Sequence, residues 1–138
     1  SRDNARTPMQ WTEDGGFTQG QPWLQVNGNT KHINVSNDIK NPQSIYHYYQ
    51  KLIKLRKTND ILINGSFKRL YANHNIFIFA RMYNNESMIT ILNMSKKQKK
   101  CPLELKGDIL LSNYDREDLS NKTLKPYEAI IMKGESVL

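Results

Sequence analysis

From about Ile61 onward the chain breaks into short β-like runs with no helix between them, and this limits the fold more than any other feature. Ile76 to Ala80 and Met88 to Leu92 are apolar, β-branched or aromatic, and Tyr83-Asn84-Asn85-Glu86 between them is a good turn. Further runs are Phe67 to Ala72, Pro102 to Leu105, Ile109 to Ser112 and Ala129 to Lys133. Asn73-His74-Asn75, Lys106-Gly107-Asp108 and Asn113-Tyr114-Asp115 separate them. Strands at this spacing predict a mainly β chain, with an antiparallel β-sandwich over residues 61–138.

Ahead of the strands lies one amphipathic helix, expected over 41–58. Asn41 can cap it, Pro42 suits the first helical position, and Ser44 is a second cap candidate. Ile45, Tyr48, Tyr49, Leu52 and Ile53 make one apolar stripe, and Lys51, Lys54 and Lys57 take the other side. Residues 1–40 have a different texture. They are rich in Gly, Asn, Gln, Asp and Thr, hold no period for more than a few residues, and carry the isolated aromatics Trp11, Phe17 and Trp23. Disordered segments are poor in large aromatics. The stretch therefore reads as a long irregular loop meant to lie on something.

Composition excludes several classes. The chain has 138 residues, 20 Lys+Arg against 13 Asp+Glu, and a formal charge of +7. The densest positive runs are Lys51, Lys54, Arg56 and Lys57, then Lys96, Lys97, Lys99 and Lys100, and neither is interleaved with aromatics that would stack on bases. The first fits a helix face and C-terminal turn, the second a solvated turn between strands. No nucleic-acid partner is expected. No stretch approaches the ~20 apolar residues of a membrane span, and no apolar signal-peptide core follows the start. With the single cysteine, Cys101, this predicts a protein of the reducing cytoplasm without disulfide or structural zinc. The first residue is not Met, so the start reads as a cut end.

A search for chemistry finds no P-loop, dinucleotide-binding, zinc-protease or serine-hydrolase motif. His32, His47 and His74 lack ligand spacing, so no metal or other cofactor is expected, and Cys101 beside Pro102 reads as a small buried hydrophobe. Asp3, Glu13 and Asp14 are close in sequence, but have no apolar surroundings of their own to raise a pKa for acid/base work. The most informative stretch is Ser1-Arg2-Asp3-Asn4-Ala5-Arg6-Thr7-Pro8-Met9-Gln10-Trp11. Two arginines four apart, an aspartate, an asparagine and a tryptophan supply what sugar recognition uses: forked donors, an acceptor and a stacking surface. The same set can equally make a tightly hydrogen-bonded loop.

That opening stretch, with Gly15-Gly16-Phe17-Thr18, Pro22-Trp23-Leu24, Val26-Asn27 and Ile33-Asn34-Val35, resembles the oligo-1,6-glucosidase branch of the α-amylase-like glycoside hydrolases. The branch also includes dextran glucosidases and trehalose-6-phosphate hydrolases. Ser44-Ile45, Tyr48-Tyr49, Lys51-Leu52-Ile53, Leu55-Arg56-Lys57, Gly65-Ser66-Phe67 and Leu124-Lys125-Pro126-Tyr127-Glu128-Ala129 extend the resemblance nearly end to end.

The resemblance implies a (β/α)8 barrel with its active site at the strand C-terminal ends, followed by an antiparallel, Greek-key-like sandwich. Residues 1–40 are then the loop after the last barrel strand, 41–58 the closing barrel helix, and 61–138 the C-terminal sandwich. The family's retaining mechanism uses an aspartate nucleophile, a glutamate acid/base and a second aspartate, all on earlier barrel strands. No residue here matches them, so the chain alone is expected to be inactive. It is expected to brace the barrel and help position short α-glucosides. An arginine of the opening motif is implied to hold the sugar, without a choice between Arg2 and Arg6; Asp3 is expected to support an arginine and Trp11 to pack the loop. Without the barrel portion, the helix stripe should fold back on the sandwich, pair with a second copy, or exist only beside the rest of the enzyme. The competing reading is a stand-alone sandwich that binds glucan without cleaving it.

Overall fold

The computed structural model describes residues 2–134. The chain divides into two compact units, Ser1–Lys51 and Leu52–Leu138.

The first unit is a loop scaffold. A short 3-10 turn, Asp3–Ala5, opens it, and helix α1 spans Val35–Lys40. This helix lies inside the stretch expected to be irregular, and its cause is local. Asn34 is extended, its side chain accepts the Asn37 N–H at 2.9 Å, and Lys40 sits in the last turn. Helix α2, Ile45–Lys57, begins later than Asn41 or Pro42 would set it. Asn41 spends its side chain on the Gln43 N–H at 3.0 Å, closing a turn, and leaves Ser44 to cap the helix through the His47 N–H at 3.4 Å. No α2 residue is fully buried: Ile45, Tyr49 and Ile53 of the apolar stripe are exposed, and Tyr48 is half-buried, which pushes its phenol pKa up.

The second unit is built on antiparallel strands. After the C-terminal end of α2, Ile61–Asn64 forms one helical turn, α3, with Ile61 buried, ahead of the first strand. Strands β1 (Ser66–Ala72), β2 (Ile76–Tyr83), β3 (Glu86–Asn93), β5 (Gly107–Ser112) and β7 (Ala129–Gly134) form a sheet in the order β1-β2-β3-β7-β5. The two-residue strands β4 (Lys99–Lys100) and β6 (Thr123–Leu124) pair separately. Lys99 and Lys100, expected in a solvated turn, thus belong to a ladder. The Pro102 to Leu105 run forms no strand; a proline gives the ladder no N–H, and Leu103 and Leu105 pack on the core instead.

The core is the sheet face carrying Ile78 and Ala80 of β2, Ile89 and Ile91 of β3, and Ile130 and Met132 of β7. Leu124 of β6 and Cys101, next to β4, close over it. Each fully buried isoleucine contributes roughly 1.5–3 kcal/mol of transfer free energy. The opposite face carries Phe77 and Phe79, with Phe67 of β1 beside them; ring centroids are 5.3 Å apart in both neighbouring pairs. Both edge strands are interrupted by a register shift, β1 between Arg69 and Tyr71 and β5 between Ile109 and Leu111, which blunts them against edge-to-edge pairing.

Candidate functional site

The site is built on the first unit, where hydrogen bonds between distant parts of the loop replace a regular scaffold. Gln10 donates through Nε2 to Asn29 Oδ1 at 2.8 Å and to the Ile33 carbonyl at 2.6 Å. The Val35 and Ser36 N–H groups return to the carbonyls of Gln10 and Trp11 at 2.9 and 3.1 Å. Asn34, buried, donates to the Thr30 carbonyl at 2.7 Å while capping α1. A tight turn across Thr12–Gly15 finishes the frame. Gly15 and Gly16 both have positive φ, and a Cβ on Gly16 would come within 2.9 Å of Thr12 Oγ1.

On this frame the 3-10 turn sets out the arginines. The Arg6 N–H bonds the Asp3 carbonyl at 3.0 Å, so Arg2 and Arg6 flank one turn with Asp3 between them. All three line a cleft of about 510 Å³, and Phe17, Pro22 and Trp23 also border it. A smaller concavity of about 370 Å³ shares Asp3 and Thr7 and reaches Asn27 and Gly28. Arg2 Nε lies 3.7 Å from the Asp3 carboxylate, an ion-pair contact too long for a hydrogen bond, with both side chains largely in water.

The structure thus brings Arg2, Asp3 and Arg6 together and leaves Trp11 out. Trp11 lines neither concavity; its main chain holds the loop, with its N–H on the Gly15 carbonyl at 2.8 Å and its carbonyl taking both the Ser36 N–H and hydroxyl. Glu13 and Asp14 sit at the tip of the Thr12–Gly15 turn, exposed and outside both concavities. Sequence reasoning passed over Trp23 and Phe17 as cleft residues and Gln10 and Asn34 as its frame. Asn34 ahead of Val35 carried a readable cap signal; the long-range partners of Gln10 carried none.

Elsewhere, His47 places its ring nitrogens 2.9 Å from the Ile39 carbonyl and 3.2 Å from Gln50 Oε1. Cys101 is buried in the core. Among the described residues no cluster of three or more His, Cys, Asp or Glu side chains is placed to hold a metal ion, and no helix is long and apolar enough to cross a membrane.

Comparison with known proteins gives this cleft a setting. Residues 1–65 match the family model described as the α-amylase catalytic domain. An oligo-1,6-glucosidase of Halalkalibacterium halodurans is 44% identical, with 98% of this chain and 26% of the relative aligned. A trehalose-6-phosphate hydrolase of Bacillus subtilis is 40% identical, over 96% of this chain and 26% of its own length. Among solved structures, the trehalose-6-phosphate hydrolase of Bacillus licheniformis superposes with a TM-score of 0.89 at 34% identity, covering 98% of this chain and 26% of that one. A trehalulose synthase from Pseudomonas mesoacidophila gives 0.89 at 30% identity, with the same two coverages of 98% and 26%. The chain spans about a quarter of the length of these relatives. It belongs to the α-amylase-like glycoside hydrolases, in the branch of the oligo-1,6-glucosidases and trehalose-6-phosphate hydrolases.

Proposed function

We propose that this chain is the C-terminal part of an α-glucosidase that hydrolyses short α-glucosides with retention, and that the catalytic carboxylates lie on a barrel portion outside it. The observation that carries the reading is the make-up of the cleft: two arginine forks and a single carboxylate, Asp3. Double displacement at a glycosidic carbon needs two carboxyl groups, about 5–5.5 Å apart, one as nucleophile and one as acid/base. A cleft with one carboxylate can orient a sugar but not run that exchange. Arg2 and Arg6 are then the sugar-holding residues, their planar forks matching pairs of vicinal hydroxyls, with Asp3 setting their charge balance and Trp11 holding the loop.

In this reading residues 1–40 are the loop after the last barrel strand, 41–58 the closing barrel helix, and 61–138 a Greek-key-like sandwich that braces the barrel. The exposed Ile45, Tyr49 and Ile53 of α2 support a helix made to lie on strands of the barrel. The partly exposed Phe67, Phe77 and Phe79 support a sheet with a second, covered face. Phe67 is 55% exposed, the most open of the three rings. The reducing cytoplasm suits the single buried cysteine.

The test is glucose release from isomaltose and from trehalose 6-phosphate. The 138-residue chain alone should release none, and the chain joined to its barrel portion should turn over. Appreciable hydrolysis by the chain alone would overturn the placement of catalysis.

A further inference from the structure

We propose that Asn27 is a site of non-enzymatic covalent modification, where the chain closes a succinimide ring and water opens it to aspartate or isoaspartate. The sequence holds three dipeptides in which Asp or Asn precedes glycine: Asp14-Gly15, Asn27-Gly28 and Asn64-Gly65. Glycine carries no Cβ to crowd its own nitrogen, so that nitrogen can reach the side-chain carbon of the residue before it. The fold treats the three differently. The Gly15 N–H is committed to the Thr12 carbonyl at 2.9 Å, and the Gly65 N–H to the Ile61 carbonyl at 3.1 Å. Gly65 is also buried at the end of α3, where a Cβ would run into the Ile61 carbonyl. The Gly28 N–H has no hydrogen-bond partner among the described residues, and a Cβ built there meets nothing within 4 Å. Asn27 and Asn64 are both exposed. What separates them is the commitment of the nitrogen that follows, not their access to water.

The Asn27 side chain is already folded forward. Its Oδ1 accepts the Asn29 N–H at 3.3 Å, a turn that arches over the Gly28 peptide. Hydroxide takes the Gly28 amide proton, and the nitrogen adds to Asn27 Cγ. Negative charge then gathers on Oδ1, the atom that the Asn29 N–H already faces. Collapse breaks the Cγ–Nδ2 bond, and Nδ2 takes a proton from water and leaves as ammonia. A second water opens the imide. Attack at Cγ restores the normal peptide with an aspartate side chain, and attack at the main-chain carbonyl leaves Gly28 joined through Cγ, as isoaspartate. The sum is one water consumed and one ammonia released, with no residue outside the chain involved. Either product adds a carboxylate to the smaller concavity, which Asn27 shares with Asp3. Isoaspartate also lengthens the main chain beside Asn29, whose side chain holds Gln10, and so loosens the loop frame there.

The 138-residue chain is aged in mildly alkaline buffer, and peptide mapping by mass spectrometry follows the exchange of amide for carboxyl at Asn27 and Asn64 in the same sample. Asn64 is thus an internal clock. In the folded chain Asn27 should convert about tenfold or more faster than Asn64, whose Gly65 nitrogen must first be freed by local opening. In concentrated guanidinium chloride the two rates should converge, because both sites are then bare Asn-Gly. Ageing in heavy-oxygen water should label the new carboxyl groups, and isoaspartate should appear at Asn27 beside aspartate. Gly28 lies outside the left-handed region and has open space around it, so Gly28→Ala leaves the fold intact, as Tm and circular dichroism check. It should slow Asn27 by about tenfold and leave Asn64 unchanged. Equal rates at Asn27 and Asn64 in the folded chain, or an Asn27 rate that Gly28→Ala does not move, would overturn the assignment.

Discussion

Arg116 grips Glu128 with two prongs: its Nε donates to Oε1 at 2.7 Å and its Nη2 to Oε2 at 3.2 Å, and the Glu128 side chain is wholly shielded from water. The same guanidinium donates to the carbonyls of Asn121 at 2.8 Å and Thr123 at 2.6 Å, and the Lys125 N–H adds a bond to Oε2 at 2.6 Å. The pair thereby closes the segment between β5 and β7 on itself, from Arg116 to the residue just before β7. A buried carboxylate is tolerable only when its lone pairs are satisfied in this way.

Arg116→Met should destabilise the chain by about 3–5 kcal/mol, because it strands a buried charge. Replacing both partners, as Arg116→Met with Glu128→Leu, should cost less than Arg116→Met alone. Urea unfolding of the four chains measures this cycle; strictly additive losses would contradict the coupling.

At Gly107 φ is +144°, and a Cβ there would run into the Lys133 carbonyl of the neighbouring strand. Gly107→Ala should therefore cost roughly 1–3 kcal/mol from backbone strain, read as a fall in Tm. A Tm equal to that of the parent chain would contradict it.

Asn34→Ala removes both the cap of α1 and the bond to the Thr30 carbonyl. Loss of a cap is worth about 0.5–2 kcal/mol, here taken from local stability of the loop frame. Hydrogen exchange of the Asn37 amide should accelerate, while the Ile89 and Ile91 amides in the sheet keep their protection.

Asp118 titrates below the ordinary carboxylate range, first because the Ser120 hydroxyl donates to it, then because the Ser120 N–H does. Its folded pKa is lower than its unfolded one, so its contribution to stability is present above the unfolded value and is lost as pH falls through the folded one. Ser120→Ala should move the Asp118 carboxyl titration, followed by NMR, upward. A downward shift or none would contradict the hydroxyl's role.

In the enzyme rejoined to its barrel portion, Arg2→Ala and Arg6→Ala compare the two forks directly. The arginine that holds the glucosyl unit should lower kcat/KM for isomaltose by about 10–100-fold when removed, the worth of hydrogen bonds made by a charged donor. Equal, near-parental kinetics in both variants would contradict a sugar-holding role.

Elements dictated by neighbours in sequence were legible beforehand. The β2–β3 hairpin follows from two β-branched and aromatic runs around Asn84 and Asn85, whose φ values of 50° and 62° are those a two-residue turn needs. Helix α2 follows from its apolar period. What stayed hidden depends on partners far along the chain. Helix α1 is six residues long, too short to show a period, and is held partly by the carbonyls of Gln10 and Trp11. The β4–β6 pairing rests on two residues a side and on a core contact through Leu124. In the cleft, the arginines were readable because their motif is contiguous. Trp23 was not distinguishable from Trp11, because only the folded loop decides which indole reaches the cleft.

Strand β7 lies inside the sheet, bonded to β3 on one side and β5 on the other. While the polypeptide is being synthesised, β3 has no second neighbour until the chain has been made through Gly134. Until then the nascent sheet is β1-β2-β3 with β3 as a raw border, and β5 is a strand without its ladder partner, each a template for a stray strand. Such non-local closure is slow. Translation that stalls short of Ala129 should thus yield an aggregating product and not a partly folded one, with chaperone demand concentrated in that window.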